Sequence, residues 1–93
     1  MIRLVKLTFL PEKVEEFLLL FEERKEIIRR FPGCRHLELW RSKKEPNVFF
    51  TYSLWERETD LEEYRQSDFF KTTWKKTKSL FSRPPEAWSV DKL

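Results

Sequence analysis

Along IRLVKLTF, residues 2 to 9, apolar and polar positions alternate with a period of two, which predicts a strand with Val5, Leu7 and Phe9 on one face and Ile2 and Leu4 on the other. The period then changes. Pro11 opens a helix where its missing N–H costs nothing, and Val14, Phe17, Leu18, Phe21 and Ile28 recur at helical spacing up to Phe31. Proline and glycine in FPGC end it. CRHLELWR, 34 to 41, returns to alternation, with Leu37 and Leu39 on one face and His36, Glu38 and Trp40 on the other; the polar SKKEPN then turns the chain. In NVFFTYSLW, 47 to 55, both faces are bulky: Phe49, Thr51, Ser53 and Trp55 alternate with Val48, Phe50, Tyr52 and Leu54.

Thr59 or Asp60, followed by Glu62 and Glu63, predicts a capping box and a short helix through Tyr64. Ser67 and Asp68 predict the cap of another helix, with Phe70, Trp74 and Phe81 on its apolar side and lysines opposite. Beyond Pro84-Pro85, EAWSVDKL predicts a last strand with Trp88 and Val90 on one face. The order β-α-β-β-α-β, its second helical region broken in two, is the α+β ferredoxin-like arrangement: a four-stranded antiparallel sheet with helices on one face. Residues 1 to 93 are too few to divide between two cores, so a single domain is expected.

One consequence concerns partners. Helices cover one face of the sheet, yet Ile2, Leu4, Trp40, Phe50 and Tyr52 fall on the other, and burying one such side chain fully stabilises by roughly 1.5 to 3 kcal/mol. A second copy packed sheet to sheet at about 10 Å is the economical cover, so a symmetric homodimer is expected.

Composition then narrows the chemistry. Aromatics make up 16% of the chain and charged residues 38%, a globular profile with a heavily solvated exterior. The net charge of +3 comes from interspersed signs, and the one basic cluster, Lys71, Lys75, Lys76, Lys78 and Arg83, reads as the solvated end of a helix, so no nucleic-acid partner is expected. A single glycine, Gly33, excludes the glycine-rich loops that hold nucleotide phosphates. A single histidine, His36, excludes multi-histidine metal sites, and no cofactor is expected. Cys34 has no second cysteine to pair with, which suits a reducing compartment. Two residues apart on a strand, Cys34 and His36 are expected on one face, the first as a small buried residue and the second as a polar contact. The opening MIRLVKLTF has no long apolar run, and no segment approaches the ~20 apolar residues of a membrane span. A cytoplasmic location without a membrane partner is therefore expected.

FPGCRHLELWRSKKEPNVFFTYSLWERETDLEEYRQSDFF, with its Pro-Gly-Cys opening of the second strand, strand-end Trp55, acidic helix start and Ser-x-x-Phe step, resembles the antibiotic biosynthesis monooxygenase domain. The likeness extends over nearly the whole chain and implies a dimeric α+β barrel. It further implies oxidation of a small phenolic or quinol-like ring by O2 without a cofactor: the substrate loses a proton, and the resulting anion passes an electron to oxygen. Counted from Trp55, which is retained, the family's Asn falls on Thr51, its Tyr on Leu61 and its Arg on Lys75, while quinol-oxidising members place a histidine where this chain has Tyr64. Members that degrade haem bind iron through a histidine at the position of Trp74, which cannot ligate iron.

The catalytic candidates are thus Trp55, Thr51 and Lys75, with Lys75 as the cation for a phenolate. The substrate-binding candidates are Tyr64, Ser53, Phe70 and Trp74. Trp55, Tyr64, Phe70 and Trp74 are expected to converge on one space between strand and helices, either as core filling or as the wall of a cavity for a small aromatic ligand. The alternative to an enzyme is the same dimer serving as a binding or structural module without turnover.

Overall fold

The computed structural model describes residues 1–93. The strands predicted from alternation pair into one antiparallel sheet: β1 (Ile2–Thr8), β2 (Cys34–Arg41), β3 (Val48–Trp55) and β4 (Glu86–Val90), in the spatial order β2-β3-β1-β4. Three α-helices, α1 (Val14–Arg29), α2 (Glu58–Gln66) and α3 (Asp68–Lys78), pack on one face of it. This is the ferredoxin-like α+β fold expected from the element order. No helix is long and apolar enough to cross a membrane.

Pairing fixes the faces. Arg3 lies opposite Ser53 and Val5 opposite Thr51 in the β1–β3 ladder, while Leu37 and Leu39 face the same two β3 residues from the other side. These residues, with Phe49 and Trp55, look toward the helices. Leu4, Phe50, Tyr52, Trp40 and Trp88 look away from them, and both tryptophans are 43% exposed.

The apolar interior forms two clusters rather than one. Leu7, Phe9, Val14, Phe17, Phe49 and Leu80 make the first, with the Phe9 and Phe17 rings stacked at 4.1 Å. Ile28, Leu37, Trp55, Leu61 and Tyr64 make the second, and Phe21 of α1 touches both.

Local details differ from the sequence pattern at several points. The first turn after Pro11 is a 3₁₀ turn, Pro11–Lys13, and α1 proper starts at Val14. α2 begins at Glu58, ahead of the expected capping box, and its N-cap, Arg57, makes no side-chain bond; the acidic Glu58 and Asp60 of its first turn suit the helix dipole instead. Ser67 does cap α3, its Oγ accepting from the Phe70 N–H at 3.1 Å.

The largest difference is at the start of β2. A bulge shifts the register between Cys34, which pairs with Trp55, and His36, which pairs with Leu54. Two residues of β2 thus stand against one step of β3, and the alternation restarts. Cys34 turns in against the second cluster, whereas His36 lies on the outer face, its ring 6.2 Å from that of Tyr52. The two side chains do not share a face. Burial also raises the pKa of Cys34, away from a reactive thiolate.

Gly33 precedes the bulge with φ +83°, and a Cβ there would stand 2.3 Å from Asp60 Oδ2. Replacing Gly33 by Ala should therefore lower stability by about 1–2 kcal/mol for the left-handed backbone alone. A shift in urea midpoint checks this, and Gly33→Ala/Asp60→Ala should recover only the steric share. Ser67→Ala should cost about 1 kcal/mol by removing the α3 cap, read by the same denaturation.

Candidate functional site

A cavity of about 290 Å³ lies between the helices and the inner face of the sheet, lined by residues of both clusters. It exists because the helix layer closes over the sheet at two centres and leaves a gap between them. Thr51, Ser53 and Trp55 reach it from alternate positions of β3, Leu61 and Tyr64 from α2, and Phe70 and Trp74 from α3. Exposed Arg65 and Ala87 share its wall with buried Trp55 and Tyr64, so it runs from the core to the surface.

The aromatic side forms a connected series. The Trp55 and Tyr64 rings stack at 5.2 Å, Tyr64 meets Phe70 edge-on at 5.0 Å, and Phe70 stacks on Trp74 at 5.9 Å. Helical spacing alone does not produce this convergence, since Tyr64 and Phe70 belong to different helices. The turn capped by Ser67 produces it: its hydroxyl donates to the Tyr64 carbonyl at 2.6 Å and accepts from the Phe70 N–H, holding the two rings together.

Polar groups punctuate this apolar wall. Trp55 Nε1 donates to Ser53 Oγ at 3.0 Å, which satisfies the buried indole and fixes its plane. Thr77 Oγ1 donates to the Thr73 carbonyl at 2.8 Å, and Thr73 Oγ1 accepts from Arg24 at 2.7 Å. No enclosed side-chain nitrogen or oxygen lacks a hydrogen-bond partner. The Tyr64 and Thr51 hydroxyls make no bond within the protein, so both open onto unfilled space. Burial, and after it the nearby Cys34, pushes the Tyr64 pKa well above the usual phenol range, so Tyr64 stays protonated as a donor and does not serve as a base.

Six of the seven sequence candidates line this cavity: Thr51, Ser53, Trp55, Tyr64, Phe70 and Trp74. Lys75 does not. Next to Trp74 on α3 it is rotated about 100° around the helix, and it is exposed outside the cavity wall. The cations that do line the cavity are Arg3 and Arg65. Arg3 was legible in principle, because the alternation that turns Val5 and Leu7 inward also turns Arg3 inward.

His36 is remote from the cavity and contacts the Glu38 carboxylate on the outer face, where Glu38 also accepts from Trp40 Nε1 at 2.7 Å. These two bonds, His36 first, hold the Glu38 carboxyl below the usual range. No group of three or more His, Cys, Asp and Glu side chains is placed to hold a metal ion. A wider trough of about 610 Å³ runs between α1 and the edge of β2, but Glu15, Glu22, Lys25 and Arg29 line it and none of the seven candidates does.

Known proteins place the chain in context. It is 29% identical over 76 residues to sll1783, an uncharacterised protein of Synechocystis, covering 82% of this chain and 52% of that one. The chain thus spans about half the length of the curated relative it matches. Among solved structures it resembles a conserved protein of Methanosarcina mazei, with 26% identity, a TM-score of 0.86, and 92% and 86% of the two chains covered. A structure described as an antibiotic biosynthesis monooxygenase superposes with a TM-score of 0.91 at 19% identity, covering 100% and 99% of the chains. Rv0793 of Mycobacterium tuberculosis gives 0.90 at 17%, covering 99% and 93%. The family model for antibiotic biosynthesis monooxygenase matches residues 1–76, which is most of the sequence and every strand and helix except β4 and the last two residues of α3. The chain belongs to the antibiotic biosynthesis monooxygenase family.

Proposed function

We propose that the protein is a cofactor-independent monooxygenase that oxidises a small phenolic or quinol-like ring with O2 inside the helix-sheet cavity. The observation that carries this reading is the cavity itself, which joins an aromatic wall to a few unengaged hydroxyls and opens to the surface. Its volume of about 290 Å³ is roughly twice the 150 Å³ or so that takes a benzene, which suits one or two rings. Trp55 and Tyr64, stacked on each other, would offer the ring an aromatic wall to lie against, and Thr51 and Tyr64 would hydrogen-bond its oxygen.

The chemistry balances without a cofactor. A phenol loses its proton, and the ring anion transfers an electron to O2 and then combines with it. One oxygen atom becomes a ring carbonyl in place of C–H, and the other leaves as water. The protein supplies a dry, oriented space in which the anion is stabilised. No basic side chain in the cavity takes the proton, because Tyr64 remains neutral and His36 lies on the other face. The substrate therefore ionises through its own acidity.

The same absence favours a second reading, a binding module that sequesters an aromatic molecule without turnover. On either reading we propose that the protein works as a homodimer joined through the outer sheet face. Support comes from the exposed Trp40 and Trp88 and from the rigid order of that face: the Trp40 and Tyr52 rings stack at 4.8 Å, and Glu38 tethers both Trp40 and His36.

Oxygen uptake with a panel of one- and two-ring phenols and hydroquinones tests the enzyme. Turnover should fall by at least about tenfold in Trp55→Ala. Its pH profile should rise through the substrate's own pKa, moving with the substrate and staying in place in Tyr64→Phe; no uptake across the panel would favour the binding module. Sedimentation tests the dimer: Tyr52→Arg should sediment as a monomer where the unaltered chain sediments as a dimer, and a monomeric unaltered chain would refute the assembly.

A further inference from the structure

Arg3 stands out among the arginines. Arg3 and Arg24 are the least exposed of them; Arg24 is ion-paired with Glu23 at 3.1 Å, whereas Arg3 has no carboxylate within ion-pairing distance. Its one side-chain bond is to a neutral group, Nη1 donating to Ser89 Oγ at 3.0 Å. It is placed on the inner face of β1, between Ser53 of β3 and Ser89 of β4, and lines the cavity.

We infer that the cavity takes a planar aromatic oxyanion, with its ring against Trp55, Tyr64 and Phe70 and its negative group held by Arg3 and Arg65. The inference rests on the cavity being the ligand site proposed above and adds the charge of what enters it.

Four observations converge. A guanidinium drawn partly out of water without a counter-ion is costly, and an anion at its free edge relieves that cost. Arg65, from the last turn of α2, brings a second positive charge to the same wall, with its own Glu62 at 3.3 Å. Burial first, and then the Arg65 charge, lowers the Arg3 pKa, as expected of two cations facing one space with Glu62 only partly offsetting them. The Thr51 and Tyr64 hydroxyls, unengaged within the protein, add hydrogen-bond donors to the wall of the same cavity. The planar fork of Arg3 matches the geometry of a carboxylate or a ring oxyanion.

Two sources share this chemistry, a carboxylate substituent and an ionised phenol, and binding to the full chain separates them. Affinities measured by quenching of tryptophan fluorescence would compare naphthoate with neutral naphthamide, and dinitrophenolate with neutral dinitroanisole. At least one anion should bind about tenfold or more tightly than its neutral partner. A preference in the first pair alone identifies a carboxylate, and in the second alone a phenolate.

Arg3→Gln should bring the ratio close to unity. Arg65→Gln should lower it about threefold, and the surface variant Arg83→Gln should retain it. Equal binding of both pairs to the unaltered chain, or no binding by any probe, would overturn the inference without need of a variant; a preference that survives Arg3→Gln would overturn it as well. The two proposals fail separately. Anion preference without oxygen uptake leaves the oxyanion seat standing and removes the enzyme, whereas uptake with charge-blind binding does the reverse.

Discussion

The central constraint is the alternation of β3, which lies inside the sheet with a partner on each side and carries large side chains on both faces. Phe49 and Trp55 must be buried on one side while Phe50 and Tyr52 stand on the other, and a slip of one residue would exchange the sets. Register is therefore strongly specified, and everything else is arranged around it. The helices take the Phe49 and Trp55 side. The opposite side presents an ordered aromatic surface that this chain's helices do not reach.

On the helix side, the distance between Phe49 and Trp55 along β3 separates the two apolar clusters. The first gathers around Phe9 and Phe17 under α1, the second around Trp55 and Tyr64 under α2. Thr51 and Ser53 occupy the stretch between, and neither has the bulk to fill it. A cavity thus follows from placing two short polar residues between two aromatic ones on the same strand face. Trp55 needs a partner for its indole N–H, and Ser53 supplies it two residues away on that face, so the same substitution of size for polarity both opens the space and orients its wall.

Most of the fold was legible in the sequence because period-two alternation and helical spacing are local signals. The four strands, the break between the last two helices and the Ser67 cap all follow from neighbouring residues. Two features were not legible and a third, though present in the alternation, carried no signal of its role, each for a physical reason. The bulge at Cys34 and His36 depends on how β2 pairs with β3, which no pattern within β2 reports, and it sends the two side chains to opposite faces. The resemblance placed Lys75 in the role of a cation, but the helix phase set by Phe70, Trp74 and Thr77 turns it outward. Arg3 was overlooked because a charged residue on an inner strand face runs against the expectation for a core, and only the neighbouring cavity gives it a place. Trp55, Tyr64, Phe70 and Trp74 were found together because large aromatics in a small chain have few places to be buried.

β4 pairs only with β1, and all its residues from Glu86 to Val90 are exposed, so within this chain it is held by a single ladder and by little packing. Ala87, and Ser89 through its bond to Arg3, place that strand at the outer rim of the cavity. Fraying at one margin of the molecule can therefore exchange the internal space with bulk water while both apolar clusters stay intact. Renewal of the interior solvent is in this way decoupled from global unfolding.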